Sequence, residues 1–357
     1  MNHLVERASA LRVAMTAVEG QKLSQPVAEA ILSCCRDLIQ AGETKTALEM
    51  IEYADSNNAV PKSSEWCLRV LRLKAQALYA ARRFDEALAL LRNIQNRSEW
   101  RLEPNSQTML EARILEGATL AQMNRLDEAQ TILIHIRTQL LGQPDSALLA
   151  LCSLQLASAE LFRGKLQTAK RYVLDGLVSS RRAQDEFTEG LALDYQSKLE
   201  RRQCRWSAAE EADLEALKIF ETNGHRVHAS IIRRSLAIGY WKRGRLDEAL
   251  ALSSACRVEA TQIGDQLLEH YAILLEGLIH LHAGRFVEAR RGFETKEITS
   301  PSDARPALLV VEYLGDLHLE QGDPKSAIKL YDEIFPRAFA VAPAGDIVAE
   351  LRRRRAE

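Results

Sequence analysis

The sequence lacks the devices by which most enzymes hold a phosphate, a nucleotide or an acyl group. Its one Gly-Lys pair, Gly164-Lys165, is followed by Leu166 and has no upstream glycine at P-loop spacing, and neither G-x-G-x-x-G nor G-x-S-x-G occurs. No catalytic constellation is left, so neither an enzymatic activity nor a cofactor is expected. The six cysteines, Cys34, Cys35, Cys67, Cys152, Cys204 and Cys256, form no C-x-x-C pair and are scattered through helical segments. They are expected as buried free thiols of a reducing compartment, which places the chain in a cytoplasm. No window approaches 18 uncharged apolar residues, and Met1 to Met15 carries Glu6, Arg7 and Arg12 where a signal peptide would be apolar, so no membrane role is expected. Neither sign of charge is in excess: 47 Lys and Arg face 49 Asp and Glu, a net charge of −2 with no overall pull toward nucleic acid. Aromatic residues are scarce at 6%, and the few prolines (9) and glycines (17) fall mostly between periodic apolar segments. With 46% hydrophobic residues, this is the composition of a folded chain.

What the chain does have is one stretch written many times. Lys242-Arg243-Gly244-Arg245-Leu246-Asp247-Glu248-Ala249-Leu250 ends one helix with basic residues and Gly244. It opens another with Asp247 as candidate N-cap, Glu248 in the first turn and a small Ala249 for close packing. Taking that alanine as a register mark gives Ala47, Ala87, Ala129, Ala169, Ala209, Ala249, Ala289 and Ala327, in steps of 40, 42, 40, 40, 40, 40 and 38. Twelve residues before each mark stands a second small residue: Cys35, Ala75, Gly117, Ala157, Ser197, Ala237, Gly277 and Gly315. Two small columns at fixed separation are what closely packed helical hairpins demand. An apolar residue stands three before the mark (Phe84, Leu126, Leu166, Trp206, Leu246, Phe286), except for Thr44 and Pro324 in the end copies, where capping sequence is expected. Pro61, Pro104, Pro144, Pro301, Pro306 and Pro343 punctuate the returns between hairpins, as do Asn223-Gly224 and Gly264-Asp265.

The spacing predicts an all-α, right-handed superhelical solenoid of helix-turn-helix repeats: one unit over residues 1–357, with eight hairpins and a leading helix near residues 3–18. Residues 345–357 repeat the first-helix pattern, with Ala356 at the small position, 41 residues after Gly315. They are expected as the first helix of an incomplete further repeat, in a fragment of a longer protein. Through that uncovered helix the chain is open to pairing with a second copy.

Copies such as Asn124-Arg125-Leu126-Asp127-Glu128-Ala129 and Gly284-Arg285-Phe286-Val287-Glu288-Ala289 resemble the turn of the tetratricopeptide repeat family, and the resemblance covers roughly residues 25–357. The tryptophan of the usual first helix is absent, and the period is about 40 rather than the usual 34. This long form is similar to the repeats of bacterial transcriptional regulators, where they sense a ligand or partner. The resemblance implies non-catalytic binding of a protein, peptide or small effector by the regulatory part of a larger signalling protein or activator. Two alternatives stay open: a stand-alone scaffold or adaptor, and single-stranded nucleic-acid binding, which the charge balance disfavours.

In that family the first helices line a groove. Counting back 18, 15, 11 and 8 residues from the mark gives Arg69, Arg72, Gln76 and Tyr79 in one copy, and Leu191, Asp194, Lys198 and Arg201 in another. A third gives Ile231, Arg234, Ile238 and Trp241. The mixture suits an acidic or amphipathic peptide, with Tyr79 and Trp241 as anchors and the arginines as carboxylate partners. The competing reading is that Tyr79, Ile238 and Trp241 pack between repeats. A basic ladder four before the mark, Arg83, Arg125, Lys165, Arg205, Arg245 and Arg285, is either an anion-attracting rim or, as the following acids favour, helix-end charge paired locally. His280, His282 and His318 converge as too few ligands for a metal, and His225 and His228 are expected in a loop.

Overall fold

Eight turns of one geometry set the architecture. Five residues before each mark the backbone is left-handed: Gly42 (φ 90°), Arg82 (60°), Asn124 (60°), Gly164 (73°), Cys204 (57°), Gly244 (76°), Gly284 (71°) and Gly322 (78°). The Gly244 N–H donates to Trp241 O at 3.0 Å and the Arg245 N–H to Tyr240 O at 3.0 Å, so a left-handed residue satisfies the last carbonyls of the helix. The same pair of bonds recurs at each of the other seven turns. Arg245 is at once the end of this turn and the N-cap of the next helix, and its side chain makes no capping bond. This corrects the expectation for Asp247, which lies with Glu248 in the first turn of that helix, beside its unsatisfied N–H groups. The turn is too short to leave a separate capping residue.

The computed structural model describes residues 6, 8–11, 13, 25–56, 64–96, 106–142, 147–294, 304–341 and 346–356. Residues 6, 8–11 and 13 are helical; the remainder of the expected leading helix lies outside the described residues, as do Pro61, Pro104, Pro144, Pro301 and Pro343. The hairpins are α1 (Gln25–Ala41) with α2 (Thr44–Ser56), α3 (Ser64–Ala80) with α4 (Phe84–Asn96), and α5 (Gln107–Gln122) with α6 (Leu126–Leu140). Next come α7 (Ala147–Phe162) with α8 (Leu166–Ala183), α9 (Glu186–Arg202) with α10 (Trp206–Thr222), and α11 (Arg226–Lys242) with α12 (Leu246–Ile263). The last are α13 (Gln266–His282) with α14 (Phe286–Phe293) and α15 (Ala304–Glu320) with α16 (Pro324–Val341), followed by α17 (Asp346–Ala356). No strand occurs among the described residues. Pro306 falls inside the first turn of α15 rather than in the return before it.

All eight register marks are buried, at 0–3% exposure, and so is the small column twelve residues earlier. The space left by a glycine there is filled by the residue four after the mark. A Cβ on Gly117 would stand 2.6 Å from Leu133 Cγ, one on Gly277 would stand 2.5 Å from Phe293 Cε1, and one on Gly315 would run into the Tyr331 ring. Leu133, Phe293 and Tyr331 are fully buried. Small and large are thus exchanged between the two helices of a hairpin at nearly constant volume.

The contacts divide the chain into two compact units, Met1–Leu199 with Lys218–Val227, and Glu200–Leu217 with His228–Glu357. The first has a core that begins with Ile31, Leu38, Met50 and Ile51 and continues through Leu133, Ile136, Cys152, Leu156 and Leu199. His225, expected in a loop, packs edge-on to Phe187 at 4.8 Å in this unit, and burial lowers its pKa. His228 lies within α11, not in a loop. The second unit is built on Leu274, Leu278, Phe293, Leu317, Tyr331 and Ile334. Helix α17 seals it with buried Ile347, Val348 and Leu351, and its four arginines are engaged. Arg352 lies over Phe335, Arg353 pairs with Glu350, Arg354 reaches Asp316 at 2.8 Å and Arg355 reaches Asp332 at 2.7 Å. Four cysteines are buried, Cys67 is half-buried, and Cys204 is exposed because its turn is exposed.

Two packing rules are testable by urea denaturation. Gly277→Ala should lower stability by about 1–3 kcal/mol through overpacking against Phe293, and adding Phe293→Leu should recover part of the loss. Arg82→Gly should be neutral or stabilising by up to about 1 kcal/mol, because it relieves a left-handed non-glycine residue.

Candidate functional site

In the first unit the inner faces of the first helices carry a connected polar surface. Arg69 on α3 forms two hydrogen bonds of 2.6 Å with Glu29 on α1. Arg72 donates to Gln76 at 3.0 Å and pairs with Glu111 on α5 at 3.1 Å. Desolvation holds the Arg72 guanidinium below its ordinary pKa, and Glu111 only partly offsets this. Three neighbouring first helices are therefore stitched together by the residues singled out from the sequence. Their positive charge is met within the chain rather than left for a ligand.

Tyr79 ends this row. It stacks edge-on with Phe84 at 5.6 Å and shares a hydrogen bond with Gln122 of α5. Burial is the main reason its phenol is pushed above the ordinary value, and the next is the phenol of Tyr195. Tyr195 lies on α9, three hairpins further along. The two side chains, on first helices three hairpins apart, are near enough to interact electrostatically. Tyr195 shares a hydrogen bond with Ser158 of α7, and burial pushes its phenol up to about 12. The Lys198 ammonium sits 4.7 Å from the Tyr195 ring centroid and 2.5 Å from Asp194 Oδ2. Asp194 is only 6% exposed, and its other carboxylate oxygen, Oδ1, accepts no hydrogen bond.

Arg72, Gln76, Tyr79, Asp194 and Lys198 were visible from the register, whereas Gln122, Ser158 and Tyr195 were not selected. Tyr195 stands 14 residues before its mark and Gln122 seven before. Both are one residue off the positions counted, because a helical face is wider than one row. Ser158 stands 11 residues before its mark Ala169, on the same row as Gln76 and Lys198.

In the second unit the sequence candidates go to different tasks. Arg201 bonds Asp213 at 2.6 Å and Ser235 at 3.1 Å, and Asp213 is 1% exposed, so this is a buried ion pair. Arg234 stacks over Tyr271 at 5.2 Å. Ile238 and Trp241, both half-buried, join the cluster around Ala237, Ala249, Leu275 and Ile279. Trp241 also stands edge-on to His282 at 5.1 Å, with Lys242 4.0 Å from its centroid. Packing between hairpins thus accounts for much of Ile238 and Trp241. The Trp241 indole N–H has no hydrogen-bond partner. No cluster of three potential metal-ligating side chains occurs among the described residues.

The basic ladder is largely neutralised locally. Arg83 pairs with Glu86 at 2.6 Å, Arg125 with Glu128 at 2.7 Å, Arg245 with Glu248, and Arg205 with Glu200. Arg243 and Arg245 also reach Glu210 of the preceding hairpin, at 2.7 and 3.5 Å.

These hairpins define an all-α, TPR-like helical-repeat protein. The tetratricopeptide repeat model matches residues 232–253, and no curated protein matches the chain by sequence. Among solved structures, a Rap protein complexed with competence and sporulation factor is similar over 92% of this chain and 99% of its own, with a TM-score of 0.63 at 13% identity. The apo form of the quorum sensor NprR from B. thuringiensis is similar over 93% and 96%, with a TM-score of 0.60 at 13% identity. A STAND-type signal-transduction ATPase with a tetratricopeptide repeat sensor, from Pyrococcus horikoshii, is similar over 90% of this chain and 55% of its own, with a TM-score of 0.52 at 15% identity. At these identities the likeness is one of fold.

Because burial favours the neutral phenol, Tyr195 should ionise late in an alkaline absorbance titration, near pH 12, while exposed tyrosines titrate near 10. Tyr195→Phe should remove that component with the far-UV signal unchanged. Titration of all tyrosines near 10 would mean that this inner face is open to water.

Proposed function

We propose that the chain is a non-catalytic recognition region that takes a peptide or protein segment on the inner face of its first unit, as the sensing part of a bacterial signalling protein. The observation that carries this reading is the electrostatic nearness of Tyr79 and Tyr195, from first helices three hairpins apart, beside a buried Asp194 whose Oδ1 accepts no hydrogen bond. Two half-buried aromatic rings, held by hydrogen bonds to Gln122 and Ser158 and flanked by Lys198 and Asp194, form a rigid surface on which an extended segment can place an apolar side chain. The Rap and NprR structures, one with competence and sporulation factor and one a quorum sensor, lend support from fold alone.

A cytoplasmic location agrees with six cysteines that form no disulfide and with the lack of any described helix long and apolar enough to cross a membrane. Nucleic-acid binding through the basic ladder is the weaker reading, because at four of its six positions a nearby glutamate already holds the cation.

Selection of displayed random short peptides against the full chain tests the proposal. Selected peptides should lose at least about tenfold in affinity on Tyr79→Ala, Tyr195→Ala or Asp194→Ala, with helical content retained. Enrichment of no sequence, or affinities indifferent to all three substitutions, would move recognition elsewhere on the chain.

A further inference from the structure

The second helices should present polar residues to solvent, and at the position five after the mark most do: Glu52, Arg92, Ser254, Glu294 and Asp332. Three consecutive copies break the rule with Ile134, Leu174 and Leu214, which are 43%, 49% and 49% exposed. Ile134 and Leu174 lie in the first unit, on α6 and α8, with Val178 (49% exposed) a turn beyond Leu174 and Leu141 (55%) at the end of α6. The two helices are linked by Arg137 of α6, which pairs with Asp175 at 2.6 Å and lies over the Tyr172 ring at 5.4 Å. The result is an exposed aliphatic strip on two second helices joined by this ion pair.

The charges around the strip are one-sided. Every acid of the two helices is held by a cation: Asp127 by Arg163, Glu128 by Arg125 and Arg92, and Asp175 by Arg137. Lys170, Arg171 and Arg182 of α8 are exposed, and none of them forms an ion pair among the described residues. They bracket the strip, with Lys170 and Arg171 one turn before Leu174 and Arg182 one turn after Val178. Arg171 and Arg182 are eleven residues apart on one helix, about 16 Å.

We propose that this face docks an acidic amphipathic helix of a partner protein. The partner lays apolar side chains over Ile134, Leu174 and Val178 and sets carboxylates about three turns apart against Arg171 and Arg182. A protein helix fits better than an anionic membrane. The aliphatic side chains are only half exposed and stand beside an ion pair, so they give a shallow apolar surface that a helix can cover but little apolar depth for lipid.

The test uses the full chain and a synthetic amphipathic peptide with leucines on one face and glutamates about eleven residues apart, followed by fluorescence anisotropy. Binding should weaken with added salt and fall at least tenfold in Leu174→Glu and in Arg171→Glu/Arg182→Glu. It should be lost when the peptide glutamates are replaced by lysine, and be unaffected by Tyr195→Ala. Leu174→Ser guards against a folding defect, with a smaller loss expected at unchanged thermal midpoint. Equal binding of the acidic and basic peptides would overturn the proposal. So would preferential, Leu174-dependent binding to anionic vesicles, or a Leu174-dependent dimer in sedimentation that excludes the peptide. The inner-face reading stands or falls separately, on Tyr79, Tyr195 and Asp194.

Discussion

The close approach of two helices within each hairpin is the constraint on which the rest depends. A left-handed residue five before the mark turns the chain back in the fewest residues, and small side chains at two points let the helices touch. A bulky neighbour then fills what the small residue leaves, as Phe293 does at Gly277 and Tyr331 at Gly315. With this contact fixed, each helix has one face against its hairpin partner and the others free to meet neighbouring hairpins or solvent.

Charge in this chain serves mainly as adhesive between hairpins. The arginines at Arg69, Arg72, Arg137, Arg243 and Arg354 all reach acids on another helix. Such half-exposed pairs are each worth on the order of 1 kcal/mol or less, but they select register because a slipped neighbour would face like charge. Asp316 shows the cost of burying one. Desolvation raises its pKa, and the Tyr331 hydroxyl at 2.7 Å and Arg354 at 2.8 Å only partly restore the charged form. The cations of the first helices are therefore largely engaged within the chain.

How far the candidate site could be read from sequence follows from the same geometry. The register located Tyr79, Asp194 and Lys198 because a fixed period converts sequence position into helix face. It passed over Tyr195 and Gln122, one residue off the rows counted, because a face some 100° wide holds more than one row. It also gave Arg69 and Arg72 to a ligand, since nothing in a period says that Glu29 and Glu111 on the adjacent hairpins stand within reach. Asp247 was read as a cap from its residue type alone, whereas the helix starts one residue earlier, since the turn runs directly into it.

The sequence by itself determined the helical hairpin, its spacing, the place of its turn and its buried small columns, because these are local or strictly periodic and every copy repeats the test. Only the tertiary structure decided which side chains meet across hairpins: that Arg69 finds Glu29, that Arg201 bonds both Asp213 and Ser235, and that Ile134 and Leu174 stay uncovered. Those meetings depend on how each hairpin is rotated against the next. That rotation is the sum of many side-chain contacts, and no single residue encodes it.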